Sequence, residues 1–430
     1  MIFNEAVNYI HSLQRFGIRP GLAGMDALLS YLGNPHNGLS FVHVAGTNGK
    51  GSTSTAISNV LVDSGYQVGL YTSPFVSHFL ERIQFNGSPV KENIFSESVS
   101  QVKKGVEHLS EQGIIITEFE ALTAAAFLCF KKLSCDVVVL EVGLGGRLDA
   151  TNVIPTPLCN VITSLSLDHT GVLGDSIEKI AFEKCGTIKR NSRVVVSIGQ
   201  PEKAMEVIEK TVNDTLSSLI IPSEESVVVH SSDLFGTDFS YKGESYNISM
   251  PGIHQVKNMT CVIEACNVLK EKFNISPDSV KRGISRTKLP ARVEILSQKP
   301  LVILDGGHNE DGATAFFECV KNYLGNYEKV YVLGGMMADK EVENSLAPLM
   351  KNIDCFVSVT PNNPRAMNCD DLQKISQKYC KENYAFSSPC DGVDFVLRRL
   401  KKDEAFLCVG SLYLAGEIRD YLIENLKNSH

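Results

Sequence analysis

Short apolar runs alternate with stretches of helical period along most of the chain. The clearest run is V-V-V-L-E-V at 137–142, nearly continuous and without polar alternation, the pattern of a strand buried on both faces. Residues 41–45, 67–72, 160–167 and 193–198 read as further strands, and 82–85 as a short strand or hairpin arm. Residues 1–40 read as amphipathic helix broken near 19–21 and 33–35. Helices are expected over about 51–64, 92–112 and 118–132, with Gly65 stopping the first of these three. Strands alternating with helices predict an α/β fold with a doubly wound, mostly parallel sheet.

Two changes of texture follow. Over 217–250 the chain turns to short β-type runs (226–230, 239–241, 245–250) around a K-G-E turn, which predicts a small antiparallel appendage. A helix over about 254–272 returns to the main layer, and L-P-A-R at 289–292 reads as a joint. Beyond it the alternation resumes, with strands at 301–305, 329–334, 354–360, 383–387 and 405–409 and a closing helix near 411–426. This predicts a second, smaller Rossmann-like α/β domain. The expected division is 1–290 and 296–430, with no internal repeat.

Composition narrows the classes. A chain of 430 residues, 43% apolar and 21% charged, is ordinary for a soluble enzyme of two to three domains. Its net charge of −8, without a basic stripe, argues against a nucleic-acid partner. The twelve cysteines show no C-x-x-C pair and sit mostly in apolar runs, so packed, reduced thiols are expected rather than disulfides or zinc ligands. The N-terminus lacks the pattern of a signal peptide, and no apolar run reaches spanning length. A cytoplasmic protein away from membranes is expected.

The chemistry starts where the strand 41–45 meets A-G-T-N-G-K-G-S. Gly46, Thr47, Asn48, Gly49, Lys50, Gly51 and Ser52 form a P-loop-like strand–loop–helix, in which backbone N–H groups and a helix N-terminus suit phosphate. The spacing departs from G-x-x-x-x-G-K-[ST], with Val44 in the first glycine's place and Gly51 between Lys50 and Ser52. A structural turn is the plain alternative. In parallel sheets ligands bind beyond the carboxyl ends of the strands. Ser73, Glu141, Asp168 and His169 stand at such ends, so one sheet edge gathers Lys50, Ser73, Glu141 and His169. Glu141 on an apolar strand is either a salt-bridged structural residue or a ligand for Mg2+, which takes oxygen donors. His169 is either a plain hydrogen-bonding residue or a member of that set. Asp175 and Glu178 have capping-box spacing, and from there Ile177, Ile180, Ala181 and Lys184 share one helix face. Lys184 therefore either snorkels to solvent or is desolvated and nucleophilic. Lys179 and Glu183 read as surface charges. In the second domain D-G-G-H-N (305–309) ends a strand. Asp305 is a cap or a ligand, and His308 and Arg292 would face the first domain across a cleft.

The runs A-G-T-N-G-K-G-S, Y-T-S-P-F, E-R-I, L-E-V-G-L-G-G-R-L-D-A-T-N, S-L-D-H-T, E-K-C-G-T-I-K, L-P-A-R-V-E and D-G-G-H-N resemble, in order, the folylpolyglutamate synthase/dihydrofolate synthase family of muramyl-ligase-like amide ligases. The resemblance runs from about residue 15 to G-S-L-Y-L at 410–414. It implies that the glycine loop holds ATP, with Lys50 on the β and γ phosphates. Ser73, Glu141 and His169 would place Mg2+, and Lys184, carboxylated in that family, would help fix a second ion. K+ is a further implied cofactor. Asn258, Arg292 and Asp305 match nucleotide-contacting positions, and His308 lies near the reacting groups or the glutamate site. Phe119, Glu120, Arg147, Leu148 and Asp149 match a pterin-binding segment whose R-L-D-A-T-N form is that of bifunctional members. The implied partners are ATP, L-glutamate and a reduced folate or dihydropteroate, handled by a monomer. A muramyl-type ligase with another acceptor, and a non-catalytic nucleotide-binding protein, are the rival readings.

Overall fold

The structure is a computed structural model that describes all of the chain except residues 18, 20, 308, 339–341, 351–352 and 429–430, and the side chains of residues 344, 345 and 428. Its first eight strands are β1 (Phe41–Ala45), β2 (Val68–Tyr71), β3 (Ile83–Phe85), β4 (Ser88–Pro89), β5 (Val137–Glu141), β6 (Cys159–Ile162), β7 (Arg193–Val196) and β8 (Ser218–Ile220). They form one sheet in the order β4-β3-β2-β5-β1-β6-β7-β8. All pairs from β2 to β8 are parallel, and the β3–β4 hairpin is antiparallel at the edge. Each residue of β1, β2, β5 and β6 is buried, the outcome that their unalternating apolar pattern demands. One face packs under the helices Phe3–Ser12, Ala23–Tyr31, Glu92–Glu111 and Glu118–Lys132; the other packs under Lys50–Asp63 and Ile253–Leu269. Because β1 lies between β5 and β6, the chain leaves it in opposite directions, and the loops after β1, β5 and β6 meet at one edge.

The appendage is a three-stranded antiparallel sheet of β9 (Val227–Asp233), β10 (Gly236–Tyr241) and β11 (Glu244–Ile248). Its hairpin residue Leu234 is buried in the apolar cluster of the last sheet, with Val293, Ile303 and Phe316. That sheet contains β12 (Glu294–Gln298), β13 (Leu301–Leu304), β14 (Val330–Gly334), β15 (Cys355–Val359), β16 (Glu382–Phe386) and β17 (Ala405–Val409), ordered β12-β13-β17-β14-β15-β16. Only the edge strand β12 is antiparallel.

Several expectations shift. The strand expected at 160–167 stops at Ile162, because the chain then turns to bond the glycine loop, so Asp168 and His169 lie in a loop beyond the strand. β8, β12 and the helix Pro277–Ser285 were not among the expected elements. The last sheet begins at Glu294, two residues before the expected boundary at 296. All twelve cysteines are free thiols. Among the described residues no helix is long and apolar enough to cross a membrane.

His43 sits in the middle of β1 and is fully buried. Thr151 gives its hydroxyl proton to Asp149 at 2.6 Å, so His43 Nε2 is the donor in the 2.9 Å bond to Thr151 Oγ1. Nδ1 has no hydrogen-bond partner among the described residues. Burial pushes the imidazole pKa down to about 3, and the Lys189 ammonium pushes the same way. The folded protein keeps His43 neutral, whereas the unfolded chain protonates it below about 6.5. Its stabilising contribution is therefore complete above that pH and lost as pH falls toward the folded value. By pH 5 this one group should cost about 2 kcal/mol. His43→Leu is expected to show a smaller drop in Tm between pH 7.5 and pH 5 than the parent; equal drops would contradict the assignment.

Candidate active site

The loop after β1 is fixed by backbone geometry before any side chain acts. Gly46 has φ +150° and Gly49 has φ +88°, both in the region that favours glycine. A Cβ on Gly46 would lie 1.8 Å from Thr163 Oγ1, and one on Gly49 would lie 2.3 Å from Asn258 Oδ1. The loop is thus pressed between the segment after β6 and the helix Ile253–Leu269. Thr47 N–H donates to Ser164 O at 2.8 Å, and Thr47 Oγ1 bonds both the carbonyl and the N–H of Ser166 at 3.2 Å. Asn258 is itself held by the 3.0 Å bond it donates to Gln255.

Two lysines meet at this loop. Lys50 Nζ donates to the carbonyls of Gly46 and Thr47, each at 3.1 Å, and Lys184 Nζ donates to Gly46 O at 2.7 Å. Lys184 is only 5% exposed, so the inward-facing reading holds and snorkelling does not. Burial, joined by the Lys50 charge, takes its pKa down to about 7, while Asp168 and Asp149 oppose the fall. Burial also lowers the pKa of Lys50, against the pull of Glu141 and Asp168. Glu141 is 4% exposed at the end of β5. Its Oε2 accepts the Ser73 N–H at 3.1 Å, and burial pushes its pKa up to about 7 although Lys50 and Arg292 pull it down. Glu141 forms no salt bridge among the described residues, so the plain structural reading is not what the structure has. The Arg292 charge acts on both Lys50 and Glu141, placing the joint between the sheets at the same edge.

The second sheet reaches this edge through D-G-G-H-N. Asp305 accepts the N–H groups of Val293 at 2.9 Å and Gly307 at 2.7 Å, and so clamps the turn. Asn309 caps the helix Glu310–Leu324 through Oδ1, while its Nδ2 donates to Asn48 Oδ1 at 3.2 Å and approaches Asp168 Oδ2 at 3.5 Å. Asn309 and Asp168 are the members of the cluster that sequence reasoning left out of the candidate set. His308 lies outside the described residues.

Other candidates have local partners. Ser52 is buried in the first turns of the helix Lys50–Asp63. His169 is exposed, with its N–H on Asp168 Oδ1 at 2.8 Å and its ring 3.7 Å from Asp168 Oδ2. The helix carrying Lys184 is capped by Ser176, not by the expected Asp175; Asp175 ion-pairs with Lys179 instead. Glu183, read as a surface charge, receives the Arg147 guanidinium at 2.8 Å, and Arg147 also lies 5.5 Å over the Phe182 ring. Leu148 is half-buried. The Asp149 carboxylate is taken up by Leu144 N–H, Thr151 N–H and the Thr151 hydroxyl. Glu120 completes a capping box with Thr117, a signal that T-E-F-E carries in the sequence. Phe119 stands over Tyr71 with ring centroids 6.0 Å apart.

Among the described residues no three His, Cys, Asp or Glu side chains converge as a metal cage. Mg2+ does not require one: one or two protein oxygens plus water and phosphate suffice. Glu141, a buried carboxylate that accepts the Ser73 N–H and forms no salt bridge among the described residues, suits that role.

Two family models match the chain that carries this sheet edge, with its glycine loop, two desolvated lysines and buried carboxylate. The Mur ligase middle domain covers residues 44–266, and the Mur ligase, glutamate ligase domain covers 291–412. Fold and site thus define an ATP-dependent amide ligase of the Mur type. The chain is 36% identical over 434 residues to the dihydrofolate synthase/folylpolyglutamate synthase of Bacillus subtilis, covering 98% of this chain and 99% of that protein. It is 32% identical over 437 residues to the folylpolyglutamate synthase of Lacticaseibacillus casei, covering 98% and 99%. The structure of E. coli FolC in complex with DHPP and ADP matches with a TM-score of 0.86 at 28% identity, covering 99% of each chain. The chain belongs to the folylpolyglutamate synthase/dihydrofolate synthase family.

The tight seat of Gly46 generates a stability test. Gly46→Ala should destabilise by about 2–4 kcal/mol in urea unfolding, and adding Thr163→Ala should recover part of that loss. A neutral Gly46→Ala would show that the loop is not pressed against β6 as described.

Proposed function

We propose that the sheet edge binds ATP and activates the carboxylate of a folate-type acid for coupling to L-glutamate, with tetrahydrofolate polyglutamylation and dihydrofolate synthesis from dihydropteroate as the two reactions. The observation that carries this reading is the convergence of Lys50 and Lys184 on the Gly46 carbonyl, opposite the buried Glu141. The γ-phosphoryl group passes from ATP to the substrate carboxylate, giving ADP and an acyl phosphate. The glutamate amine then attacks the acyl carbon, and the tetrahedral intermediate expels inorganic phosphate to leave an amide.

Lys50 and Arg292 bring positive charge to the transferring phosphoryl group, where positioning and charge neutralisation supply most of the catalysis. Gly46 to Ser52 cradle the phosphates, and Asn258 and Asp305 hold the two walls of the nucleotide site. Mg2+, held by Glu141 and the Ser73 hydroxyl with His169 close by, would neutralise phosphate charge. Lys184, whose pKa burial takes down to about 7, supplies the neutral amine needed to add CO2 and lose a proton, forming a carbamate that would extend the same donor set. Nothing in the described donor set singles out K+, and no step runs through it. Phe119, Glu120 and the segment 147–149 belong to the pterin side of the pocket, with Glu120 and Asp149 acting as its fixed frame. Residues 1–290 then carry ATP and the pterin, and 296–430 close over them to bring glutamate to the acyl phosphate, excluding water. We place this chemistry in a cytoplasmic monomer. The R-L-D-A-T-N run favours the bifunctional form of the reading.

Lys50→Ala and Glu141→Ala should each lower substrate-dependent ADP release by at least about 100-fold. Near-normal turnover in either would sink the site assignment. The test of the reading itself is ADP formation assayed with dihydropteroate and then with tetrahydrofolate, each with and without glutamate. Rates that ignore both acids would leave only a nucleotide-binding protein. A Lys184→Ala variant should be partly restored by a small carboxylic acid and not by bicarbonate.

A further inference from the structure

We propose that Arg82 is the residue that receives the carboxylate end of the folate-type acid, its guanidinium lying over the Phe119 ring at the wall between the pterin side and the phosphate side of the pocket. This rests on the folate-ligase reading of the site and adds a recognition residue to it. Arg82 is only 9% exposed. Its Nε has no hydrogen-bond partner, and among the described residues no hydrogen bond or ion pair reaches its guanidinium. What it does have is the face of Phe119, 5.7 Å from the guanidinium carbon. A buried guanidinium carries a desolvation cost that an aromatic face offsets only in part, so buried arginines are ordinarily paired with an anion.

The surrounding loop explains why no protein carboxylate fills that role. The neighbouring Glu81 is fully engaged, accepting the backbone N–H groups of Val76 at 2.8 Å, Ser77 at 3.1 Å and His78 at 2.9 Å. Glu141 is turned to Ser73. The loop thus stabilises itself with its own acid and leaves the adjacent guanidinium without a carboxylate partner among the described residues.

Position selects the ligand. The Arg82 carbonyl accepts the Thr72 N–H at 3.0 Å, one residue before Ser73. Arg82 therefore branches from the backbone beside the phosphate site, and its charge is felt by both Glu141 and Tyr71. Half-buried Phe119, backed by the fully buried Tyr71, supplies an aromatic face there. A flat aromatic acid laid along that face would bring its carboxylate to the guanidinium, whose planar fork matches a carboxylate in two parallel bonds. From there the carboxylate lies next to the groups that hold the γ-phosphate.

The test compares two ligands on the full chain: dihydropteroate, and the analogue that lacks its carboxylate. Arg82→Gln should weaken dihydropteroate binding, followed by fluorescence titration, by at least about tenfold, and leave the decarboxylated analogue and the KM for ATP within about twofold. Arg82→Lys keeps the charge without the fork and should fall between. It also serves if the glutamine variant does not fold. Unchanged dihydropteroate binding, or an equal loss for both ligands, would overturn the proposal. The parent enzyme separates the two levels: if it forms ADP with dihydropteroate and glutamate, such a result removes Arg82 alone, whereas a parent that binds neither acid removes the folate reading with it.

Discussion

Two lysine side chains point at one carbonyl oxygen. Lys50 and Lys184 both donate to Gly46 O, one from the loop itself and one from a helix 138 residues away in sequence. Burial is the main cause that lowers the pKa of each lysine, joined by the Arg292 charge at Lys50 and by the Lys50 charge at Lys184, and the lowering expresses the cost of placing both amines there. The loop that receives both amines is closely packed. Gly46 is pressed on Thr163, Gly49 on Asn258, and Thr47 is stitched to Ser164 and Ser166. A rigid, electropositive pocket facing a buried carboxylate is what a polyphosphate needs. Phosphate charge would offset the cost of burying these amines.

The remaining architecture serves to surround that point. β5 brings Glu141, β2 brings Ser73, and the segment after β6 brings Asp168, all because β1 is the central strand from which the chain departs both ways. The second sheet adds Arg292 and Asn309, and the Asn309–Asn48 bond joins its D-G-G-H-N turn directly to the glycine loop. Leu234 ties the appendage into the same sheet's apolar cluster. The glycine loop and the second sheet therefore meet directly at one hydrogen bond.

Much of this was legible in the sequence, for physical reasons that differ by residue. The V-V-V-L-E run announced β5 because a strand buried on both faces has no polar alternation to blur it. Lys184 was readable as inward-facing because helical period projects onto burial directly. Asp168 and Asn309 carried no such signal: both stand in loops, where no period links sequence to direction. Ser176 and Asp175 offered adjacent caps, and only the backbone decides between them. Glu120 shows the opposite case, where the T-x-x-E signature for a cap was present beside a resemblance that pointed to substrate. β8, β12 and the helix Pro277–Ser285 escaped because they are short and mixed in character. The isolation of Arg82 could not be read at all, since it depends on Glu81 spending its carboxylate on three backbone groups.

The central claim is that this edge moves a phosphoryl group onto a carboxylate oxygen. It is tested most directly with dihydropteroate labelled with 18O in its carboxylate, turned over with ATP and glutamate. If an acyl phosphate forms, one labelled oxygen leaves with each inorganic phosphate released, because the bond to the acyl carbon breaks on the substrate side. Phosphate released without label during amide formation would contradict the account.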